Sequence, residues 1–290
     1  MSEFWKRTLS GAVYVGCVVG SIIWHPVAFG VLLLLIVCLA VNEFHKLAGS
    51  GHLSRSVSIV TAAVMWAATE WFVLPLEQYG NRSWGVYALL GATYVLLIAA
   101  AMIDELWQKE EAPLTNWGNL LISQTMVALP LCSLALLGQL SKWLLLALFV
   151  LIWVNDSGAY CVGVLTAKRP QGNHKMFPRV SPKKSWEGLV GGIVFALLAA
   201  LLLDYYGWFD AIASNERRSI IVLLFAFLVC TFGTLGDLME SILKRSIGVK
   251  DSGRFLPGHG GVLDRFDSIL LAAPIVTIYS WICYALSSLL

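Results

Sequence analysis

The sequence predicts an all-α integral membrane protein, a polytopic bundle of about nine transmembrane helices. Three observations carry that reading. Apolar residues make up 58% of the 290 residues and charged ones only 13%, against about 25% charged in an ordinary soluble domain; mean hydropathy is +0.75. The apolar residues come in runs close to the ~20 that a helix needs to cross a hydrocarbon core. The basic residues gather in alternate connections between those runs.

In chain order, the runs lie near 8–24, 27–44, 56–76, 84–103, 117–139, 143–165, 186–204, 218–243 and 266–288. The first follows Lys6 and Arg7, a pattern shared with signal peptides. His25-Pro26 leads directly into the second run without a convincing small-residue cleavage site, which favours a retained helical hairpin. With the amino terminus cytoplasmic, 16 of the 20 Lys and Arg residues fall inside, and only Arg82, Lys142, Arg217 and Arg218 outside. That split follows the positive-inside rule in one orientation and predicts a multi-pass protein of the cell (inner) membrane with its polar loops in the cytoplasm.

Eight of the twelve tryptophans, Trp5, Trp24, Trp84, Trp107, Trp117, Trp143, Trp186 and Trp208, sit near expected span ends, where indoles favour the interface. The six cysteines are scattered without a CxxC pair and read as free, small apolar residues. Glu43, Glu70 and the Asp104-Glu105 loop read as interfacial or solvated charges. With no repeat or long linker, the expectation is one membrane-embedded domain over 1–290, with lipid-embedded helices in 1–140 and the chemistry in 141–290.

That chemistry concentrates in two polar islands. In the first, Asp156 lies inside the sixth run beside Asn155, with Gly158, Ala159 and Gly163 near it. A carboxylate at that depth is a functional candidate, a helix–helix hydrogen bond being the alternative. The following loop holds six basic residues between Lys168 and Lys184. Lys183 and Lys184 precede Ser185, an N-cap for a helix from Trp186; cations beside free helix N–H groups suit a phosphate, although attraction to anionic lipid headgroups also explains them.

The second island runs from Asp237 to Asp267, between two apolar segments. It holds Asp237, Glu240, Asp251, Asp264 and Asp267, five basic residues, and the flexible Pro257-Gly258-His259-Gly260-Gly261. At helical spacing Asp237, Glu240, Ser241 and Lys244 share one face, and Asp264 and Asp267, three apart, share another at the start of the last helix. Two polar stripes joined by a Gly-rich loop suit a cation site. Hard oxygen donors without cysteine favour Mg²⁺, and the interspersed lysines and arginines favour a metal–polyphosphate over a free cation. Neither a P-loop nor a Rossmann fingerprint is present.

From Ser241 through Lys244-Arg245, Lys250-Asp251, Gly253 and Pro257 to His259-Gly260-Gly261, Asp264-Arg265 and Asp267, the 27-residue pattern resembles the long motif of the phosphatidate cytidylyltransferases, or CDP-diacylglycerol synthases. The Asn155-Asp156-Ser157-Gly158-Ala159-Tyr160 segment and Ser181 to Gly188 resemble that family's other polar blocks. The resemblance is clear over about 150–290 and only hydropathic before that. It implies that CTP and phosphatidic acid give CDP-diacylglycerol and pyrophosphate, that the carboxylates at Asp237 and Asp264 hold Mg²⁺, and that a monovalent cation such as K⁺ can sit beside it. On that reading Lys244, Arg265 and Lys250 would stabilise the departing pyrophosphate, Lys183 and Lys184 would bind a phosphate, and Glu240 and Asp267 would orient the ligands. Ser185, Asp156, Asp251, His259, Gly260 and Gly261 complete the expected substrate site, with a structural role equally open to His259. Arg169 to His174 is the least familiar stretch and receives no role. The expected partners are CTP, phosphatidic acid and membrane lipids, without nucleic acid; the family's habit also allows a homodimer. The competing readings are another CTP-dependent lipid-phosphate transferase or kinase, and an ion-coupled transporter relaying through Asp156 and Asp237.

Overall fold

The computed structural model describes residues 3–73, 84–107, 112–213, 218–253 and 260–287. Arg82, Lys109, Arg217 and Arg254, counted in the charge balance, and His259, a candidate site residue, lie outside them. The helices are α1 (Glu3–Trp24), α2 (Pro26–Leu47), α3 (His52–Val73), α4 (Trp84–Asp104), α5 (Pro113–Ile122), α6 (Leu129–Leu140), α7 (Lys142–Ala167), α8 (Trp186–Tyr205), α9 (Arg218–Ser246), α10 (Leu263–Phe266) and α11 (Ile269–Ser287). A π-helical turn, Ser123–Ala128, joins α5 to α6. Each expected apolar run coincides with helix among the described residues, and six helices are long and apolar enough to cross a membrane, counting Pro113–Leu140 as one. The architecture is all-α and polytopic. Among the described residues it also holds a small antiparallel hairpin between α7 and α8, β1 (Lys175–Phe177) and β2 (Ser181–Ser185), in the basic loop where the sequence has no strand-like alternation.

The chain divides into two compact units: Met1–Leu136 with Asp251–Phe266, and Leu137–Lys250 with Asp267–Leu290. In the first, Leu33, Val37, Val41, Leu120, Leu131 and Leu134 form a fully buried core. The π turn places Ser123 and Gln124 inside it, where Ser123 Oγ lies 3.0 Å from His45 Nε2 and Gln124 Nε2 donates to the Ser58 carbonyl at 3.0 Å. Ser123, Gln124 and His45 thus each keep at least one hydrogen bond in an apolar interior, as buried polar side chains generally do.

In the second unit, helix starts follow local chemistry. Ser141 and Ser185 take extended backbone angles and their hydroxyls accept from Trp143 N–H and Gly188 N–H, capping α7 and α8. The α7–α8 contact runs on small residues. A Cβ at Gly192 would stand 2.6 Å from the Asn155 carbonyl oxygen, and one at Gly188 2.9 Å from that of Ala159. Close backbone approach of this kind supplies the dispersion that holds helices together where no hydrophobic drive exists. Gly236 does the same for α9, a Cβ there falling 2.6 Å from the Asp267 carbonyl oxygen. At 29 residues, α9 is about 43 Å long, more than a ~30 Å hydrocarbon core needs. The apolar run from Ile220 to Leu235 makes up the middle of α9, and the polar residues from Asp237 to Lys244 follow it toward the helix end.

Candidate functional site: an acidic cluster beside a lysine-lined cavity

The polar stripe read on α9 forms as expected. Ser241 Oγ donates to Asp237 Oδ1 at 3.3 Å, one turn apart, and Lys244 pairs with Glu240 at the same spacing. Both partners of that pair are buried, Glu240 to 1% exposure. Asp267, in the turn before α11, brings a third carboxylate: Asp237, Glu240 and Asp267 each offer an oxygen within 4.8 Å of the others. Asp267 is crowded enough that burial, and then the Asp237 and Glu240 charges, push its carboxyl well above the usual carboxylate range. Like charges this close are tolerated when a cation relieves them, and an all-oxygen donor set suits Mg²⁺ or another hard divalent ion.

Against this cluster lies a cavity of about 250 Å³ walled by α7, the hairpin, α8 and α9. Asp156 and Asn155 line it from α7, Lys183, Lys184 and Ser185 from β2, and Thr234 and Asp237 from α9. Lys184 Nζ stands 2.7 Å from Asp237 Oδ2 and 3.5 Å from the Thr234 carbonyl oxygen. Asp237 is therefore the hinge of the arrangement, one carboxylate touching both the cationic wall and the acidic cluster. The hairpin, invisible to sequence periodicity, is what delivers the two lysines to that wall. Lys244, expected to stabilise the departing pyrophosphate, pairs with Glu240.

Asp264 belongs to the first unit and sits differently. Its Oδ2 accepts from the backbone N–H of Ser252 and of Gly261, both at 2.8 Å. Gly260 has φ +80°, and a Cβ there would run into Asp264 Oδ2; only glycine permits this turn. Asp264 and Asp267 do not share one helical face as expected. The helix breaks after Phe266, where Asp267 Oδ1 takes the Ser268 N–H at 2.6 Å, and α11 starts afresh at Ile269. The Arg265 carbonyl accepts from the Tyr14 hydroxyl at 3.5 Å. Lys250 and Asp251 are exposed.

Glu43 is a correction to the sequence reading. Far from solvated, it is 7% exposed and bonded within the first unit to the Asp264 segment, its Oε2 accepting from Leu263 N–H at 2.9 Å. A rule already applied to Asp156, that an acid in an apolar helix is a functional candidate, is the signal that could have singled it out.

Comparison with known proteins agrees with the architecture. The family model described as "Cytidylyltransferase family" matches residues 5–283. Relatives named phosphatidate cytidylyltransferase include those of Bacillus subtilis strain 168, 49% identical over 125 residues, 43% of this chain and 42% of that protein, and of Haemophilus influenzae, 44% identical over 132 residues, 46% and 43% respectively. The Staphylococcus haemolyticus protein of the same name is 42% identical over 130 residues, 45% and 46%. The matched segments span less than half the length of these relatives. The family model, by contrast, runs almost from end to end, and the chain belongs to the cytidylyltransferase family.

Proposed function

We propose that the protein transfers the cytidylyl group of CTP to phosphatidic acid, forming CDP-diacylglycerol and pyrophosphate. The observation that carries this reading is the double engagement of Asp237, ion-paired to Lys184 on the cavity wall and packed into the carboxylate cluster with Glu240 and Asp267. A cationic wall beside an acidic cluster is what a metal-bound polyphosphate needs. A lone cation, or a lone phosphate, would need one half of it.

The chemistry asks little else of the protein. A phosphate oxygen of phosphatidic acid is already ionised, attacks the α-phosphorus of CTP, and the bond to the β-phosphate oxygen breaks as pyrophosphate leaves. No protein nucleophile is required, so catalysis reduces to positioning two polyanions and offsetting charge on the leaving group. Bound at Asp237, Glu240 and Asp267, Mg²⁺ would supply that charge neutralisation. Lys184 and Lys183 hold a phosphate in the cavity. Lys244 keeps Glu240 compensated, so that the cluster carries less net negative charge than three carboxylates alone. The motif resemblance gives Asp264, Arg265, Lys250 and His259 a part in the same chemistry. The charge asymmetry of the loops supports a cytoplasmic amino terminus and cytoplasmic loops, with CTP arriving from that side while the lipid enters sideways between helices.

Purified protein in detergent, given labelled CTP, phosphatidic acid and Mg²⁺, should yield a CDP-lipid and pyrophosphate in equal amounts, and EDTA should stop the reaction. Absence of product with Mg²⁺ present would reject the proposal.

A further inference from the structure

We propose that Glu43 on α2 is the positioning residue that fixes the segment carrying Asp264, a role that rests on the part given to Asp264 above. Glu43 Oε2 accepts from the Leu263 N–H at 2.9 Å and from Ser252 Oγ at 3.3 Å, across 220 and 209 residues of sequence. Ser252 is the shared link. Its own N–H donates to Asp264 Oδ2 at 2.8 Å, and its hydroxyl oxygen accepts from the Asp264 N–H at 3.3 Å. One serine thus ties the two carboxylates together, and Leu263 N–H adds a bond on the residue next to Asp264.

Steric evidence points the same way independently. A Cβ at Gly253 would lie 2.6 Å from Glu43 Oε1, and one at Gly261 would collide with both Glu43 and Ser252 Oγ. Two glycines of the motif therefore face the Glu43 carboxylate, and neither position is left-handed among the described glycines, so close approach rather than backbone angle accounts for them. Burying a carboxylate is costly unless it is hydrogen-bonded, and charge-assisted bonds to backbone N–H groups are among the stronger ones. An apolar side chain could fill the space. It could not accept from Leu263 N–H and Ser252 together.

The test uses the full-length protein in detergent, with CDP-lipid formation and amide hydrogen exchange read on the same variants. Glu43→Ala should lower kcat by about a hundredfold, the scale of a small misplacement of a reacting group, with the KM for CTP little changed. Glu43→Gln, whose carbonyl can still accept both bonds, should recover most of the loss. Exchange at the Gly261 and Leu263 amides should accelerate in the alanine variant and much less in the glutamine one. Gly253→Ala should impair the wild type yet add little to Glu43→Ala, because the group it strikes has gone. Wild-type kcat in Glu43→Ala, unchanged exchange, or strictly additive losses in the double variant would each overturn the proposal. Should Glu43→Ala fail to fold, Gly253→Ala alone and combined with Glu43→Gln decides it. If wild-type protein makes no CDP-lipid, the catalytic reading fails while the exchange comparison still decides whether Glu43 holds the segment.

Discussion

The two units bury carboxylates in opposite ways. In Leu137–Lys250 with Asp267–Leu290, three acids crowd together and are compensated by lysines, Lys184 on Asp237 and Lys244 on Glu240. In Met1–Leu136 with Asp251–Phe266, Glu43 and Asp264 are compensated by backbone N–H groups and a serine hydroxyl. Amide donors satisfy an acid without altering its charge and lock it in place. Lysine pairs can be exchanged for another cation or another anion. The difference separates acids whose lysine partners an incoming charged ligand could replace from acids fixed in position by backbone donors, and it can be broken by changing charge and geometry separately.

The largest effect belongs to Asp237→Asn, which takes a charge from the acidic cluster and frees Lys184 in one step. Loss of roughly a thousandfold or more in kcat is expected, the upper range for a group that stabilises developing charge. Mg²⁺ should raise the melting temperature of the wild type by relieving the crowded carboxylates, and that rise should shrink in Asp237→Asn. Near-normal turnover, or an undiminished Mg²⁺ shift, would break the contrast between the units.

Asp264→Asn sharpens it. The amide oxygen can still accept from Ser252 and Gly261, so the segment should stay folded and its exchange protection remain. Activity should nevertheless vanish if the charge itself is used. Survival of activity would make Asp264 framework alone. Lys184→Met comes next, at about a hundredfold in kcat/KM, with the loss concentrated in the KM for CTP or phosphatidic acid, since the side chain lines the cavity and pairs there with Asp237.

Much of this was legible in the sequence, for physical reasons that mark its limits. Helix lengths were readable because a bilayer dictates about 20 apolar residues and forbids unpaired backbone, so the run at 143–165 becomes Lys142–Ala167 and that at 186–204 becomes Trp186–Tyr205. The stripe of Asp237, Glu240, Ser241 and Lys244 followed from helical period alone. The split of Asp264 from Asp267 was not readable, because it turns on a single side-chain bond from Asp267 to Ser268 N–H. Nor was the hairpin, whose strands are three and five residues long and include Pro182. Glu43 was misread because its partners lie more than two hundred residues away, and charge at the end of an apolar run is ordinarily solvated.

Ser185 gives the smallest and most discriminating effect, because it stands in both roles. Its hydroxyl caps α8 by accepting from Gly188 N–H at 3.1 Å, while the residue lines the cavity beside Lys184. Ser185→Ala removes the cap and should cost about 1 kcal/mol, lowering the melting temperature by a few degrees with little change in the KM for CTP. Ser185→Asp keeps a capping oxygen and favours the helix amino terminus electrostatically, so stability should be retained or raised. The same carboxylate would bring a negative charge to the wall that Lys183 and Lys184 line, and the KM for CTP should climb several-fold or more, in step with repulsion of a polyphosphate at short range. A stable Ser185→Asp protein with wild-type KM would mean that no phosphate reaches this wall, and the reading of the cavity as the phosphate-binding half of the site would fall with it.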